Sequence, residues 1–212
     1  MQKINDVKGI IFDLDGVLVD TARYHYLAWK RLADELGFNF TEEDNERLKG
    51  VSRMQSLEIL FEVGKVTMTN EQKEISATRK NTWYVEYLHK LDETALLSGS
   101  KEYLLKLRKD GKKIALGSAS KNAPLILERL NITSFFDAVI DGNSVSKTKP
   151  DPEVFLKGAQ ALGLPPVECA VFEDALAGIE AAKACGMFAV AVGKIENLPG
   201  ADLYISSLAD ML

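Results

Sequence analysis

The sequence predicts an α/β protein in which a doubly wound parallel sheet is interrupted, just after its first strand, by an all-helical unit. Three observations lead there. Short apolar runs alternate with helical patterns over residues 99–206, a run of the same kind stands alone near the amino terminus, and residues 21–91 between them carry helical periodicity without a convincing strand. We therefore expect an α/β core of residues 1–19 and 93–212 and a helical cap of residues 20–92.

In chain order, Gly9-Ile10-Ile11-Phe12 is a short apolar run ending in Asp13-Leu14-Asp15-Gly16, the pattern of a buried strand entering a turn. Within the cap, Ala28, Trp29, Leu32 and Leu36 recur at helical steps, as do Leu57, Leu60 and Phe61, and then Trp83, Tyr84, Tyr87, Leu88 and Leu91. After the return crossing, Tyr103, Leu104 and Leu107 line one face of a helix that Gly111 stops. The strands Ile114-Ala115-Leu116-Gly117, Ala138-Val139-Ile140, Ala170-Val171-Phe172 and Phe188-Ala189-Val190-Ala191-Val192 follow, continuously apolar as strands covered on both faces should be. Leu203-Tyr204-Ile205 is a last candidate. Between them lie a helix through Leu125, Leu127 and Leu130, one opened by Asp151-Pro152 and closed after Leu162 by Gly163, and one from Ala175 to Cys185 closed by Gly186.

A length of 212 residues fits one core with a modest insertion, and 46% hydrophobic with 27% charged residues excludes a disordered or fibrous chain. The balance of 31 acidic against 26 basic residues, a net charge of -5, argues against nucleic acid or an anionic membrane as partner. The ligand is expected to be small. Cys169 and Cys185 are the two cysteines, in no metal-like spacing, so each is expected to pack as a small apolar residue in a reducing compartment. Met1-Gln2-Lys3-Ile4-Asn5-Asp6 has no apolar signal-peptide region and no segment approaches a bilayer span, so a cytoplasmic protein is expected. With both cores assigned, no extended apolar stripe is left over, which favours a monomer.

The chemistry gathers at strand ends. Asp13 and Asp15 stand two apart at the end of the first strand, and an extended backbone sends both side chains the same way. Two like charges so close raise each other's proton affinity unless a cation sits beside them, which suits Mg²⁺ or an acid/base pair. Alone, such a segment is usually a turn with solvated carboxylates. The second strand runs into Ser118-Ala119-Ser120-Lys121-Asn122 at a helix start, where hydroxyls and free N–H groups make an anion site or an ordinary cap. Lys149 stands beside Pro150 in a rigid turn after the third strand, placed to pair with a phosphoryl oxygen or an aspartate. Glu173-Asp174 follows the fourth strand, as a charge pair or a dipole-favourable cap.

Phe12-Asp13-Leu14-Asp15-Gly16-Val17-Leu18, Ser118, Lys149-Pro150 and Glu173-Asp174, in this order, resemble the four motifs of the haloacid dehalogenase superfamily of phosphoryl-transfer enzymes, over essentially the whole chain. The resemblance implies an HAD-like, Rossmann-like doubly wound core with an inserted helical cap. It implies that Asp13 attacks phosphorus to form an aspartyl-phosphate while Asp15 protonates the departing oxygen. It also implies Mg²⁺ held by the Asp13 carboxylate, the Asp15 main-chain carbonyl and Asp174, with Glu173 acting directly or through water. Ser118 and Lys149 would hold the equatorial phosphoryl oxygens.

The cap carries polar residues that set specificity, because it hangs from the loop bearing the nucleophile and can close as a lid. Lys49-Gly50-Val51-Ser52-Arg53 sets a glycine turn against an arginine suited to grip a phosphate with two parallel bonds; by composition alone it is a solvated loop and helix start. His25, one of two histidines, reads as a hinge hydrogen-bonder or a catalyst. Together with Asp20-Thr21-Ala22-Arg23-Tyr24-His25, Trp29, Ser56, Arg79-Lys80-Asn81 and Ser118–Asn122, these segments resemble the hexose-phosphate mutase branch of the superfamily. That implies interconversion of beta-D-glucose 1-phosphate and beta-D-glucose 6-phosphate through a beta-glucose 1,6-bisphosphate that turns round in the site and serves as activating intermediate. Arg53 and Lys121-Asn122 would hold the phosphate not being transferred, Ala119 and Ser120 would complete the phosphoryl loop, and Thr21, Trp29, Lys49, Gly50, Ser56 and Lys80 would contact the substrate. His25 would assist Asp15 through the hinge. Arg23 and the stretch 61–74 depart from the pattern. The alternatives are a sugar-phosphate phosphatase with the same core residues and, from another class, a non-enzymatic phospho-aspartate switch. The long insertion after strand one and an acceptor on that first strand argue against the switch. An aspartate at position 15 favours an oxygen leaving group over a dehalogenase's halide.

Overall fold

Residues Gly9–Phe12 form β1, buried throughout, as a strand flanked by others and covered by helices should be. The computed structural model describes residues 4–48 and 51–212. β1 is joined by β2 (Lys113–Gly117), β3 (Ala138–Ile140), β4 (Cys169–Glu173), β5 (Phe188–Val192) and β6 (Leu203–Ile205) in one sheet of order β3-β2-β1-β4-β5-β6. Every neighbouring pair is parallel, so the doubly wound sheet expected from the apolar runs is present. The chain winds outward from β1 to β3 and then returns to lay β4 on the other flank of β1. Phe12 is thereby in register with Leu116 on one side and Phe172 on the other. The carboxyl ends of β1 and β4 border the point where the winding reverses, where open α/β sheets bind ligands.

Two compact units emerge, one of residues 1–20 and 92–212, the other of residues 21–91. In the first, helices α5 (Ser100–Lys109), α6 (Ala123–Arg129), α7 (Glu153–Leu162) and α8 (Leu176–Ala184) cover the sheet. Ile11, Ala115, Val171 and Ala189 point to one face and pack with Val154, Phe155 and Ala159 of α7 and Ile179 and Ala182 of α8. On the other face Phe12, Tyr103 and Phe172 form an aromatic trio with ring centroids 5.0–6.1 Å apart. The two crossings between units are tied together inside the first: Leu97 N–H donates to Leu18 O at 3.0 Å, and Ser100 Oγ donates to the same carbonyl at 3.1 Å.

The second unit holds α1 (Ala22–Glu35), α2 (Glu42–Glu46), α3 (Arg53–Gly64) and α4 (Asn70–Leu88). Reciprocal caps open three of them, Thr41 with Asp44, Ser52 with Gln55 and Thr69 with Gln72, each supplying two partners to N–H groups that the helix leaves unpaired. Leu32 of α1, Leu57, Leu60 and Phe61 of α3 and Tyr84 and Leu88 of α4 are buried. Leu91, expected on the last helix, lies beyond its end yet is still buried. α7 begins at Glu153, two residues later than expected, because Asp151 Oδ1 takes up the Glu153 N–H at 3.0 Å in a turn before the helix. Cys169 and Cys185 are free thiols, and burial pushes the Cys169 thiol up to about 11, as suits a packing role. Among the described residues, no helix is long and apolar enough to cross a membrane.

Candidate active site

The sheet positions Asp13. Its N–H continues the β1–β4 ladder by donating to Phe172 O at 2.9 Å, so the residue is held by backbone hydrogen bonding at the carboxyl edge. Lys149, from the loop after β3, donates from Nζ to Asp13 Oδ1 at 2.6 Å and to Glu173 Oε2 at 2.7 Å. The Phe155 ring lies under that ammonium, 4.8 Å from its centroid. Burial pulls the Lys149 ammonium down, but the Asp13 and Glu173 carboxylates outweigh it and hold the group above the ordinary lysine range. Burial pushes the Glu173 carboxyl up; Lys149 opposes this, and Asp13 and Asp174 add to it.

Asp13, Glu173 and Asp174 each offer a carboxylate oxygen, and the three oxygens lie within 4.8 Å of one another. One ammonium shared by two of these carboxylates leaves an excess of negative charge at a cluster made only of hard oxygen donors, a combination that fits a divalent cation such as Mg²⁺. Two glycines make the cluster possible. A Cβ on Gly16 would stand 1.9 Å from Asp174 Oδ2, and one on Gly178 would stand 2.0 Å from the Glu173 carboxyl carbon. Gly16 also has a φ of 81°, which side-chain-bearing residues rarely adopt. Asp15, half-buried, follows in the same loop, where its backbone bridges to Val19.

Ser118, Ala119, Ser120, Lys121 and Asn122 lie together at the carboxyl end of β2. The helix begins only at Ala123, and neither serine caps it: the Ser118 hydroxyl accepts the Ser120 N–H at 3.1 Å, and the Ser120 hydroxyl accepts the Asn122 N–H at 3.3 Å. These two successive side-chain turns replace the expected first helical turn. Ser118 is buried, Lys121 is exposed and the other three are half-buried.

The helical unit holds a second cluster. Lys80, buried on α4, places Nζ 3.0 Å from His25 Nδ1 of α1 and over the rings of Trp29 and Tyr84, 4.3 and 4.7 Å from their centroids. An ammonium can only donate, so Nδ1 accepts and the imidazole proton sits on Nε2. Burial, then the positive charges of Lys80 and Arg53, hold the His25 pKa well below 6.5, leaving the ring neutral. That ring stacks on Tyr84 at 4.0 Å between centroids, and Tyr84 donates its hydroxyl proton to Thr21 Oγ1 at 3.3 Å. Arg53 opens α3, and Ser56 is buried one turn later. Lys49 and Gly50 lie outside the described residues.

Gly178, Phe155 and Tyr84 take part in these sites without having stood out as site residues in the sequence. Gly178 left a trace: a glycine inside a helix forfeits about 1 kcal/mol against alanine and calls for a packing reason. Tyr84 stood in the apolar pattern of a cap helix and Phe155 drew no expectation, and only the fold reveals that each faces a buried ammonium.

Residues 10–192 match the haloacid dehalogenase-like hydrolase family. The chain is 45% identical to a beta-phosphoglucomutase of Bacillus subtilis, over 97% of this chain and 92% of that protein. A phosphorylated carbohydrates phosphatase of Thermotoga maritima is 31% identical over 85% of this chain and 82% of its own length. A crystal structure of a beta-phosphoglucomutase from Clostridium difficile superposes with a TM-score of 0.92 at 40% identity, covering 97% of this chain and 93% of the other.

Proposed function

The chain belongs to the haloacid dehalogenase-like hydrolase family, and from that premise we propose that it is an isomerase interconverting beta-D-glucose 1-phosphate and beta-D-glucose 6-phosphate. The observation that carries this reading is the 45% identity to the Bacillus subtilis beta-phosphoglucomutase, which extends over 97% of the chain and so spans both compact units. The relatives described as phosphatases match at lower identity, 31%, and less of the chain.

In this mechanism a carboxylate oxygen of Asp13 attacks phosphorus, the bond from phosphorus to the sugar oxygen breaks, and Asp15 gives that oxygen its proton. In the return step a different hydroxyl of the sugar phosphate attacks the aspartyl-phosphate, Asp15 takes the hydroxyl proton, and Asp13 is released. The product of this return step on glucose 1-phosphate is beta-glucose 1,6-bisphosphate, which must turn round so that Asp13 takes its other phosphoryl group and leaves glucose 6-phosphate. Lys149 and Ser118 are assigned to the phosphoryl oxygens, where negative charge spreads in the transition state. Lys149 suits this role because Asp13 and Glu173 hold it protonated. Asp13, the Asp15 main-chain carbonyl and Asp174 are assigned to Mg²⁺. Glu173 is assigned to orienting Lys149 and the site, because Lys149 Nζ and the Ala175 N–H, at 3.1 Å, already engage its two oxygens. Mg²⁺ would supply charge neutralisation that lets an anionic nucleophile approach an anionic phosphate. Arg53, Lys121 and Asn122 are assigned to the phosphate not being transferred, and Thr21, His25, Trp29, Lys49, Gly50, Ser56 and Lys80 to the substrate side of the cap.

A cytoplasmic location suits this reading, because the charge on phosphorylated sugars keeps them from crossing a bilayer. A phosphorus NMR time course with beta-D-glucose 1-phosphate, Mg²⁺ and a trace of the bisphosphate tests the reading. The 6-phosphate should grow with little inorganic phosphate. Inorganic phosphate growing as fast as substrate falls would instead establish a phosphatase.

A further inference from the structure

Directly after β3, Asp141 is 7% exposed, and its carboxylate makes no ion pair among the described residues. A buried carboxylate without a cation is retained only where hydrogen bonds satisfy it. Four do. Oδ1 accepts the Asn143 N–H at 3.0 Å, the Ser144 N–H at 3.1 Å and the Ser144 hydroxyl at 2.8 Å, and Oδ2 accepts from Asn143 Nδ2 at 2.9 Å. Burial pushes the carboxyl up, yet these bonds outweigh it and keep the group ionised.

The turn so built is joined to the loop that carries Ser118 and Lys121. Asn143 Nδ2, which bonds Asp141, also donates to Lys121 O at 3.2 Å. Gly142 N–H donates to Ser120 O at 3.2 Å, and Ser118 N–H donates to Ile140 O at 3.0 Å. The backbones meet so closely that a Cβ on Gly142 would fall 2.3 Å from Ala119 O. Behind the turn, Lys157 of α7 donates to Ser144 O at 2.6 Å and pairs with Glu153 at 2.7 Å, anchoring it to the scaffold.

We propose that Asp141 and Asn143 are positioning residues of the phosphoryl-transfer reaction, bracing the Ser118–Asn122 loop at the height and angle at which it receives a phosphate. The inference rests on the function proposed above. Asp141 touches no reacting atom; it orders a turn, and the turn carries the loop through the Asn143 amide and the Gly142 N–H. Donors already held in place cost little to order when a phosphate binds, so slackening the brace weakens binding of ground and transition state alike and leaves the nucleophile unaltered.

The test compares Asn143→Ala, Asp141→Asn and Asp141→Ala with the parent protein in Mg²⁺. It measures KM and kcat for beta-D-glucose 1-phosphate, the inhibition constant of inorganic phosphate against acetyl phosphate as donor, and the melting temperature. Asn143 is exposed, so its truncation does not threaten the core. Asn143→Ala should raise KM and the phosphate constant together by about threefold to tenfold, the worth of one hydrogen bond, with kcat within about twofold and an unchanged melt. Asp141→Ala should exceed that, and Asp141→Asn, which keeps the Oδ1 acceptor but turns an NH2 toward the Asn143 amide, should recover only to the level of Asn143→Ala. If Asp141→Ala does not fold, Asn143→Ala decides. Phosphate affinity unchanged in Asn143→Ala, or a loss in Asp141→Asn that only follows a lowered melt, would overturn the proposal. A parent protein that turns over acetyl phosphate but does not isomerise the hexose phosphate would contradict the function above, and the phosphate constants would still decide the brace.

Discussion

Gly178 lies so close to Glu173 that any side chain there would occupy the space of the carboxylate: a Cβ would stand 2.0 Å from the carboxyl carbon and 2.2 Å from Oε2. Gly178→Ala improves helix propensity by about 1 kcal/mol, so any loss it causes has to come from displacing Glu173, and with it Lys149. Steady-state assays should find kcat/KM for the hexose phosphate reduced by about a hundredfold or more, the usual effect of a misplacement near 1 Å. Activity within twofold of the parent would mean that Glu173 can move without consequence.

Lys149 bridges two buried carboxylates, so removing it leaves buried negative charge uncompensated. Lys149→Met should abolish turnover and cost about 3 kcal/mol of stability in chelator, seen as a lowered denaturation midpoint. Because a divalent ion would replace part of the missing charge, Mg²⁺ should raise the melting temperature of the variant more than that of the parent. Equal shifts in the two proteins would argue against an ion held by Asp13 and Asp174.

His25 is held neutral, with a pKa well below 6.5, by burial and by Lys80 and Arg53. The unfolded chain therefore binds the proton more readily than the folded one, and stability rises with pH between the two pKa values. His25 should thus contribute its full stability above pH 6.5 and lose it progressively as the pH falls toward the depressed folded value. Chemical denaturation of the parent and of His25→Gln across this range should give a shallower slope for the variant. Parallel slopes would show that the ring is not buried neutral.

Arg53 is half-buried at the start of α3, and burial lowers its pKa only against a group that remains charged. If it holds the phosphate that is not transferred, Arg53→Ala should impair turnover of glucose 1-phosphate by about tenfold or more and leave acetyl phosphate, which has no second anchoring point, within about twofold. Equal losses on both donors would remove the case for a distal grip.

Much of the fold could be read from local pattern. Ala138–Ile140, Phe188–Val192 and Leu203–Ile205 have the strand limits that their apolar runs suggested, because strands covered on both faces need no polar alternation and stop where polar turns begin. Boundaries were harder where side chains compete with the backbone. Ser118 and Ser120 spend their hydroxyls on turns, so the helix after β2 begins at Ala123, and Asp151 does the same before Glu153. At the site, the carboxylates were visible because their spacing falls at strand ends. Lys149 was placed to pair with a phosphoryl oxygen or an aspartate, but its sharing between Asp13 and Glu173, residues 136 and 24 positions away, depends on the fold. Asp141-Gly142-Asn143-Ser144 drew no expectation from the sequence, and the approach of Gly142 to Ala119, residues 23 positions apart, is what connects this turn to the loop after β2. The His25–Lys80–Tyr84 stack likewise depends on α1 and α4 lying side by side.

The central claim is that Asp13 becomes phosphorylated and passes the phosphoryl group back to sugar. Acid-quenched intact-mass and peptide analysis after brief exposure to beta-glucose 1,6-bisphosphate and Mg²⁺ tests it most directly. One phosphoryl group per chain should appear on the peptide bearing Asp13, be lost to hydroxylamine, and move to glucose 1-phosphate in a chase, with none in Asp13→Asn. A chain that isomerises its substrate with no label at Asp13, or an Asp13→Asn variant with full turnover, would contradict the account.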